Sequence, residues 1–263
     1  MSDVKTENLW LMHGNCLDRM KEIPDSSISM ILADPPFNTT VCKWDSLIPF
    51  AEMWAELKRV IKPNGAIVLF GMQPFTTTLI ASNMQMFKYC WLWKKSKASN
   101  FPHAPNMPLK VVEDVCVFSS GVVGHVSQAG AKRMTYNPQG VTKGVRIVKQ
   151  GKNTSQLGYN RDSQTNHTTG YQCKGQGYPT VILDFKSENG LHPTQKPVAL
   201  LEYLIRTYTN EGETVLDFAQ GSGSTGVASL NTGRKYIGVE MDDHYFNISK
   251  ERILATTQAT EEI

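Results

Sequence analysis

A chain of 263 residues, 40% hydrophobic and 19% charged, is long enough to bury a full α/β core, as one large domain or as a domain carrying an insert. It has no apolar run near the ~20 residues that cross a bilayer, and its polar start, Met1 to Asn8, lacks signal-peptide character, so a cytoplasmic protein without a membrane partner is expected. A net charge of +3 is too small to diagnose a nucleic-acid binder, and the five cysteines (Cys16, Cys42, Cys90, Cys116, Cys173), without a C-x-x-C pair, predict reduced thiols and no metal site.

Leu9 to His13 reads as a strand ending at Gly14-Asn15-Cys16, after which Leu17, Met20 and Ile23 keep the spacing of a short helix closed by Pro24. Such a strand tip can be a ligand edge or a plain βα turn. The apolar run Ile28 to Ala33 is a buried strand, and it leads into Asp34-Pro35-Pro36-Phe37. Prolines hold φ at about −65° and donate no hydrogen bond, which keeps the Asp34 carboxylate and the Pro35 carbonyl still as a pair of acceptors beside the Phe37 ring. That grouping suits methylation of an exocyclic amine on a planar base. The amine's lone pair is delocalised into the ring, and two acceptors on its hydrogens favour a pyramidal nitrogen aimed at a methyl donor. No strong base is needed, because the nitrogen becomes acidic once it carries the methyl. An ordinary strand-ending turn can show the same four residues, so both readings stand at this point.

A loop from Asn38 to Ser46, containing Lys43, precedes a helix in which Phe50, Met53, Trp54, Leu57, Val60 and Ile61 recur at helical spacing, with Pro63-Asn64-Gly65 as the stop. Ala66 to Phe70 is a further buried strand, Gln73 to Phe87 a helix, Tyr89 to Trp93 a strand ending at Lys94-Lys95, and Val111 to Phe118 another strand. The two lysines are either phosphate contacts or a solvated end.

From Ser119 to Asp184 the periodicity vanishes. Gly, Ser, Thr, Asn and Gln dominate, and Lys132, Arg133, Lys143, Arg146, Lys149, Lys152, Arg161 and Lys174 face Asp162 within the stretch. A structureless loop of this length is improbable in a compact domain, so the segment is a separate recognition region, an insert that orders on binding, or a solvated insert. Basic side chains interleaved with amides suit phosphate contacts and base-edge readout.

His192-Pro193-Thr194-Gln195-Lys196-Pro197 then leads into a helix with Leu201, Leu204, Ile205 and Tyr208 on one face, and Thr194 is placed to cap it. A β-loop-α-β unit follows: strand Thr214 to Phe218, loop Ala219 to Gly223, helix Ser224 to Asn231, strand Lys235 to Glu240 and a last helix from Asp242 to Leu254. Gly221-x-Gly223-x-x-Gly226 with an acid at the tip of the next strand matches the pattern for a nucleoside cofactor, leaving NAD and S-adenosylmethionine open. Two features favour the second. Asp217 ends its strand just before the glycines, where it can face an ammonium group but repels a pyrophosphate, and the Asp34 motif calls for a methyl donor.

Taken in order, Asp34-Pro35-Pro36-Phe37, His192 to Pro197 and Asp217-Phe218-Ala219-Gln220-Gly221-Ser222-Gly223-Ser224-Thr225 resemble the amino-methylating DNA methyltransferases of the β class, over nearly the whole chain outside 119–184. The resemblance implies an α/β, Rossmann-like S-adenosylmethionine-dependent methyltransferase fold, permuted, with a mostly parallel seven-stranded sheet and one antiparallel strand. Residues 1–118 and 185–263 form the catalytic and cofactor-binding domain, and 119–184 the target-recognition insert. The Leu9 and Lys235 strands lie side by side, so both ends of the chain complete one cofactor site.

By matching motif, Asp34, Pro35, Pro36 and Phe37 are the catalytic set. Gly221, Ser222, Gly223 and Thr225 form the loop under S-adenosyl-L-methionine, Asp217 and Phe218 line it, and Glu240 holds the ribose. Asn15 and Cys16 meet the adenine; Asp34, His192, Thr194 and Lys196 lie near the methionine end. From charge and composition rather than from a matched motif, Lys43, Lys94, Lys95, Lys132, Arg133, Lys149 and Lys152 are the expected DNA contacts. Three positions depart from the family pattern. Asn15 stands for the usual Asp and can still accept from an adenine amine, Ala219 replaces a common proline, and Phe37 replaces the commoner tyrosine.

The implied function is methylation of adenine N6 in double-stranded DNA on a base flipped from the stack, at a cost of a few kcal/mol partly recovered by stacking on Phe37. Cytosine N4 is the alternative target, although that group tends to carry serine in place of Asp34. An inactive DNA-binding relative and an NAD-dependent oxidoreductase are the rivals from other classes. A homodimer and a cognate restriction endonuclease stay open.

Overall fold

The computed structural model describes residues 2–37, 47–124, 130–142, 146–148, 171–173, 175–188, 190 and 195–261. In chain order its strands are β1 (Val4–Lys5), β2 (Leu9–His13), β3 (Ile28–Ala33), β4 (Ile61–Gly71), β5 (Phe87–Ser99), β6 (Lys110–Phe118), β7 (Arg146–Val148), β8 (Tyr171–Cys173), β9 (Ile182–Asp184), β10 (Thr214–Asp217) and β11 (Lys235–Glu240). The helices are α1 (Cys16–Arg19), α2 (Phe50–Val60), α3 (Phe75–Ser82), α4 (Val198–Tyr208), α5 (Ser224–Asn231) and α6 (Asp243–Glu261). Among the described residues, no helix is long and apolar enough to cross a membrane.

Nine strands form one sheet in the order β1-β2-β11-β10-β3-β4-β6-β5-β9. The central seven, β2 to β5 in that order, are parallel except for β6, which runs against both neighbours, as the Rossmann-like reading requires. Short edge strands, β1 antiparallel and β9 parallel to its neighbour, extend it at either side. β11 pairs β2 from Tyr236↔Leu9 to Glu240↔His13, so the two ends of the chain do meet.

β3 sits near the middle because all six of its residues are buried, as in a strand covered on both faces. Successive side chains serve opposite layers. Ile31 and Ala33 pack with Met53, Trp54, Leu57 and Leu79 of α2 and α3, whereas Met30 and Leu32 pack with Leu201, Leu204, Ile205 and Ala228 of α4 and α5. Burying such side chains stabilises by roughly 1.5–3 kcal/mol each, which anchors both helix layers to β3.

Several boundaries differ from the sequence reading, among them the last helix, which runs on past Leu254 to Glu261. Pro63-Asn64-Gly65 ends α2 but lies inside β4, which already pairs at Ile28↔Ile61 and carries a register shift before Met30↔Ala66. A Cβ on Gly65 would come within 2.7 Å of the Ser29 carbonyl, so the shift needs glycine there. α3 stops at Ser82 because Asn83 starts a turn, its carbonyl accepting from Met86 and Phe87. β5 runs on past Trp93 to Ser99.

The chain divides into two compact units, residues 1–137 with 181–263, and 138–180. The first boundary falls later than the change in composition at Ser119, because residues 119–137 return to the sheet unit: Ser119 donates to the Gly65 carbonyl at 2.7 Å, Met134 is buried and Asn137 donates to the Thr209 carbonyl at 3.1 Å. In the smaller unit β7 and β8 pair antiparallel from Arg146↔Cys173 to Val148↔Tyr171, followed by a bridge between Thr142 and Gln176.

Candidate active site

Because β2, β11, β10 and β3 are mutually parallel, their carboxyl ends share one edge, and their chemistry-bearing residues follow directly: Asn15 after β2, Asp34 after β3, Asp217 and Glu240 at the tips of β10 and β11. They border a cavity of about 780 Å³. Asn15, Cys16, Asp34, Pro35, Pro36, Phe37, Lys196, Asp217, Phe218, Gly221, Ser222, Thr225 and Glu240 all line it.

The glycine loop is held from three sides. Gly221 N–H donates to Glu240 Oε2 at 2.9 Å, Gln220 N–H to the Val239 carbonyl at 3.1 Å, and Arg252 to the Ser222 carbonyl and the Ser224 hydroxyl. Gly221 has φ +49° and open space where a side chain would stand, so it leaves the backbone accessible to a ligand. Gly223, expected in the loop under the cofactor, faces the helix layer instead. It does not line the cavity, and at φ +79° a Cβ would press on Ser249 and Ile253 of α6; Gly226 likewise clears Ile253 and Tyr236. Only the first glycine of the fingerprint serves the cavity; the others let α6 close on α5.

Asp34, Asp217 and Glu240 converge here, and among the described residues the ion pairs supply a cation for Asp34 alone. Asp217 is 3% exposed, and burial pushes its carboxyl up to about 7, against the pull of hydrogen bonds from the Thr225 hydroxyl and the Ala219 N–H, with Asp34 and Glu240 pushing it further up. Burial also holds Glu240 above the usual carboxylate range, although it accepts from the N–H groups of Gly221 and Asp242. Cys16 is pushed up to about 11, mainly by burial, and stays a neutral thiol. An ammonium or sulfonium group relieves this strain; a pyrophosphate worsens it.

On its other side Asp34 joins a buried chain of ions. Lys196 Nζ is 2.5 Å from Asp34 Oδ2 and 3.4 Å from Glu113 Oε2, and Lys95 Nζ is 3.1 Å from Glu113 Oε1. Burial disfavours the Lys196 charge, but Asp34 and Glu113 outweigh it and raise the lysine above its ordinary value. Glu113 mirrors this: burial raises it, Lys196 and Lys95 lower it, and the net displacement is downward. Two cations and two anions balance, as buried charges must. Lys196, expected near the cofactor's methionine end, here grips Asp34. Lys95, expected to touch DNA, has its charge engaged by Glu113.

The Phe37 ring lies 4.7 Å from Phe75, tilted by 30°, at the apolar side of the cavity with Ile48 and Pro49. The Asn15 Oδ1 accepts from Leu17 N–H at 2.9 Å and so also caps α1. Lys94 is surface-exposed and paired with Asp184; Lys132 is exposed and Arg133 half-buried. His192, Thr194, Lys43, Lys149 and Lys152 lie outside the described residues.

Sequence reasoning missed Glu113 and Glu188. Glu113 was findable as a carboxylate inside an apolar strand. Glu188 was not: it accepts from Val198 N–H at 3.1 Å and Gln195 at 3.2 Å, capping α4 from ten residues upstream.

The profile of the DNA methylase family, which covers N6 and N4 enzymes, matches residues 28–251. This chain belongs to the DNA methylase family. Among curated relatives of this methylase, the DNA adenine methyltransferase YhdJ of Escherichia coli K12 is 28% identical over 96% of this chain and 85% of its own length. The Type II methyltransferase M2.LlaDCHI of Lactococcus lactis subsp. cremoris is 28% identical over 94% and 90%. Among solved structures, the M1.HpyAVI complex with SAM aligns with TM-score 0.59 at 22% identity, covering 93% of this chain and 99% of its own. The cytosine-N4-specific PvuII DNA methyltransferase aligns with TM-score 0.64 at 18% identity, covering 97% and 93%. Both share the fold of this methylase.

Proposed function

We propose that this DNA methylase transfers a methyl group from S-adenosyl-L-methionine to adenine N6 of a base extruded from double-stranded DNA, at a specific sequence. The observation that carries the reading is the meeting of Asp34, at the end of β3, with the acidic, glycine-edged end of a single cavity. The residues fit the cofactor: Asp217 suits an ammonium group, Glu240 suits ribose hydroxyls once its loop contacts rearrange, and Gly221 admits close backbone approach. When bound, S-adenosylmethionine supplies an electrophilic methyl group on a cationic sulfur.

The protein's own part is to make a poor nucleophile ready. Asp34 and the Pro35 carbonyl accept from the two N6 hydrogens and favour the pyramidal amine, Phe37 holds the base plane, and Lys196 orients Asp34. Once methylated, the amine would carry an acidic proton, which Asp34, already hydrogen-bonded to it, is placed to accept. Adenine over cytosine is supported by Asp34 itself and by the name of the Escherichia coli relative. Residues 119–184 serve as the target-recognition region, on the strength of their composition. Type II names among the relatives support a paired restriction endonuclease, and the reaction belongs in the cytoplasm, as a monomer or a homodimer. The test is transfer of labelled methyl to duplex DNA followed by digestion to nucleosides. Label in N6-methyladenine supports the reading, label in N4-methylcytosine replaces the target, and no label in DNA removes the activity.

A further inference from the structure

The cavity has a second, basic end. β5 and β6 continue as a hairpin past the sheet, and its Lys95, Lys97, Ala98, Ser99 and Lys110 line the same cavity as Asp34. From Lys94 to Val112 the chain carries four lysines, one histidine and no carboxylate. Lys94 and Lys95 are paired with Asp184 and Glu113, which leaves Lys97 and Lys110 as the cations that give this rim its sign.

Beyond them the tip holds its apolar side chains out in water. Phe101 is 62% exposed and Met107 45% exposed. This is not a loose loop. Asn100 takes a left-handed conformation (φ 73°), Ala104 N–H donates to the Phe101 carbonyl at 3.0 Å, and Asn106 and Met107 donate to the His103 carbonyl at 2.8 and 3.0 Å. At the root, Ser99 Oγ accepts from Lys95 at 3.2 Å and donates to the Lys110 carbonyl at 3.2 Å. An aromatic ring held out of the core on a hydrogen-bonded turn, two residues past the cavity-lining Ser99 and between Lys97 and Lys110 along the chain, has the make-up of a stacking platform with phosphate anchors.

We propose that the β5–β6 hairpin tip is the surface that seats the DNA strand carrying the target base. Lys97 and Lys110 hold phosphates flanking the extruded nucleotide, and Phe101 stacks on the neighbouring base and fills the gap in the helix. The surface rests on the methylase reading but lies outside both the glycine loop and residues 119–184. Five carboxylates also line the cavity: Glu113 is paired with Lys95 and Lys196, Asp34 with Lys196, Glu188 is engaged by Val198 N–H and Gln195 at the start of α4, and Asp217 and Glu240 stand at the tips of β10 and β11.

Duplex DNA binding by wild type, Lys97→Ala/Lys110→Ala, Phe101→Ala and Phe101→Trp, each across a salt series, tests it. The double variant is expected to lower the magnitude of the log-log salt slope by about 1.8, close to 0.9 for each phosphate no longer neutralised. Phe101→Ala is expected to bind DNA roughly 10- to 100-fold more weakly with the slope unchanged, and Phe101→Trp to restore binding. Cofactor affinity by calorimetry should stay within twofold in all of them. Equal slopes for wild type and the double variant, or Phe101→Ala affinity within twofold of wild type, overturn the proposal. A wild type that binds DNA with these properties yet methylates none would instead sink the methylase reading and leave the surface standing.

Discussion

The two ends of the cavity are built on different plans. The cofactor end is mostly local in sequence: Asp217, the glycine loop and Glu240 fall within one β-loop-α-β unit and are held by backbone N–H groups, with Asn15 and Cys16 after β2 joining them from the start of the sheet. The target end is assembled across the chain, with Asp34, Lys95, Glu113 and Lys196 coming from four separate segments and held by buried charge. A motif can record most of the first kind of site. The second kind shows in sequence only as isolated charges in apolar surroundings, and its stability depends on every partner being present.

That contrast can be broken most severely at Lys196. Lys196→Met leaves buried Glu113 with Lys95 alone and part-exposed Asp34 without its cation, a loss near or below the lower end of the ~3–5 kcal/mol of a broken buried pair. Urea unfolding should show that loss, and methyl transfer should fall by at least ~100-fold even where the protein stays folded. Full stability would mean that the ion chain is not formed in solution.

Gly223→Val acts at the other end and by another route. A Cβ there meets Ser249 and Ile253 at a left-handed backbone position, so the expected effect is on folding, about 1–3 kcal/mol from overpacking alone. Gly221→Ala, in open space, should cost less stability and more cofactor affinity. Thermal melts and calorimetric titration of the pair separate the two glycines, and identical behaviour would erase the distinction drawn between them.

Glu113→Gln keeps the shape and removes one charge. With Glu113 neutral, Lys196 is left to Asp34 alone and draws tighter on the carboxylate that must accept from the target amine. The turnover rate is expected to fall about 10-fold with little change in cofactor affinity, as for an interaction used in the transition state. Lowered cofactor affinity at unchanged turnover would place Glu113 at the wrong end.

The smallest effect is a pH dependence. Asp217 is held near 7 in the fold against an ordinary 3.8, so the native state binds more protons than the unfolded chain between those values. Its contribution to stability is therefore lost as pH rises through that window, the reverse of a salt-bridged aspartate. A cationic ligand favours the ionised carboxylate, so cofactor affinity should tighten several-fold from pH 5.5 to 7, below the titration of the ligand's own amine at about 8. Asp217→Asn should flatten that dependence. Calorimetry at the two pH values decides it.

Much of this was legible beforehand, for physical reasons. The apolar runs of β3, β10 and β11 announce buried strands, and the resemblance to the β-class methyltransferases implied that β2 and β11 pair, as they do. What escaped was long-range. Nothing local distinguishes Lys95, which meets Glu113, from Lys94 beside it on the surface, because alternation along a strand decides which faces inward. Gly223 looked like part of the ligand loop because the fingerprint does not record which glycine faces the ligand and which faces α6.

The most direct measurement of the central claim is the single-turnover rate of methyl transfer to adenine in duplex DNA by Asp34→Ala, taken beside its dissociation constant for S-adenosylmethionine. The expected result is a rate at least ~100-fold below wild type with cofactor binding changed by no more than a few-fold, since Asp34 acts on the target amine. A variant that transfers methyl at the wild-type rate would contradict the account.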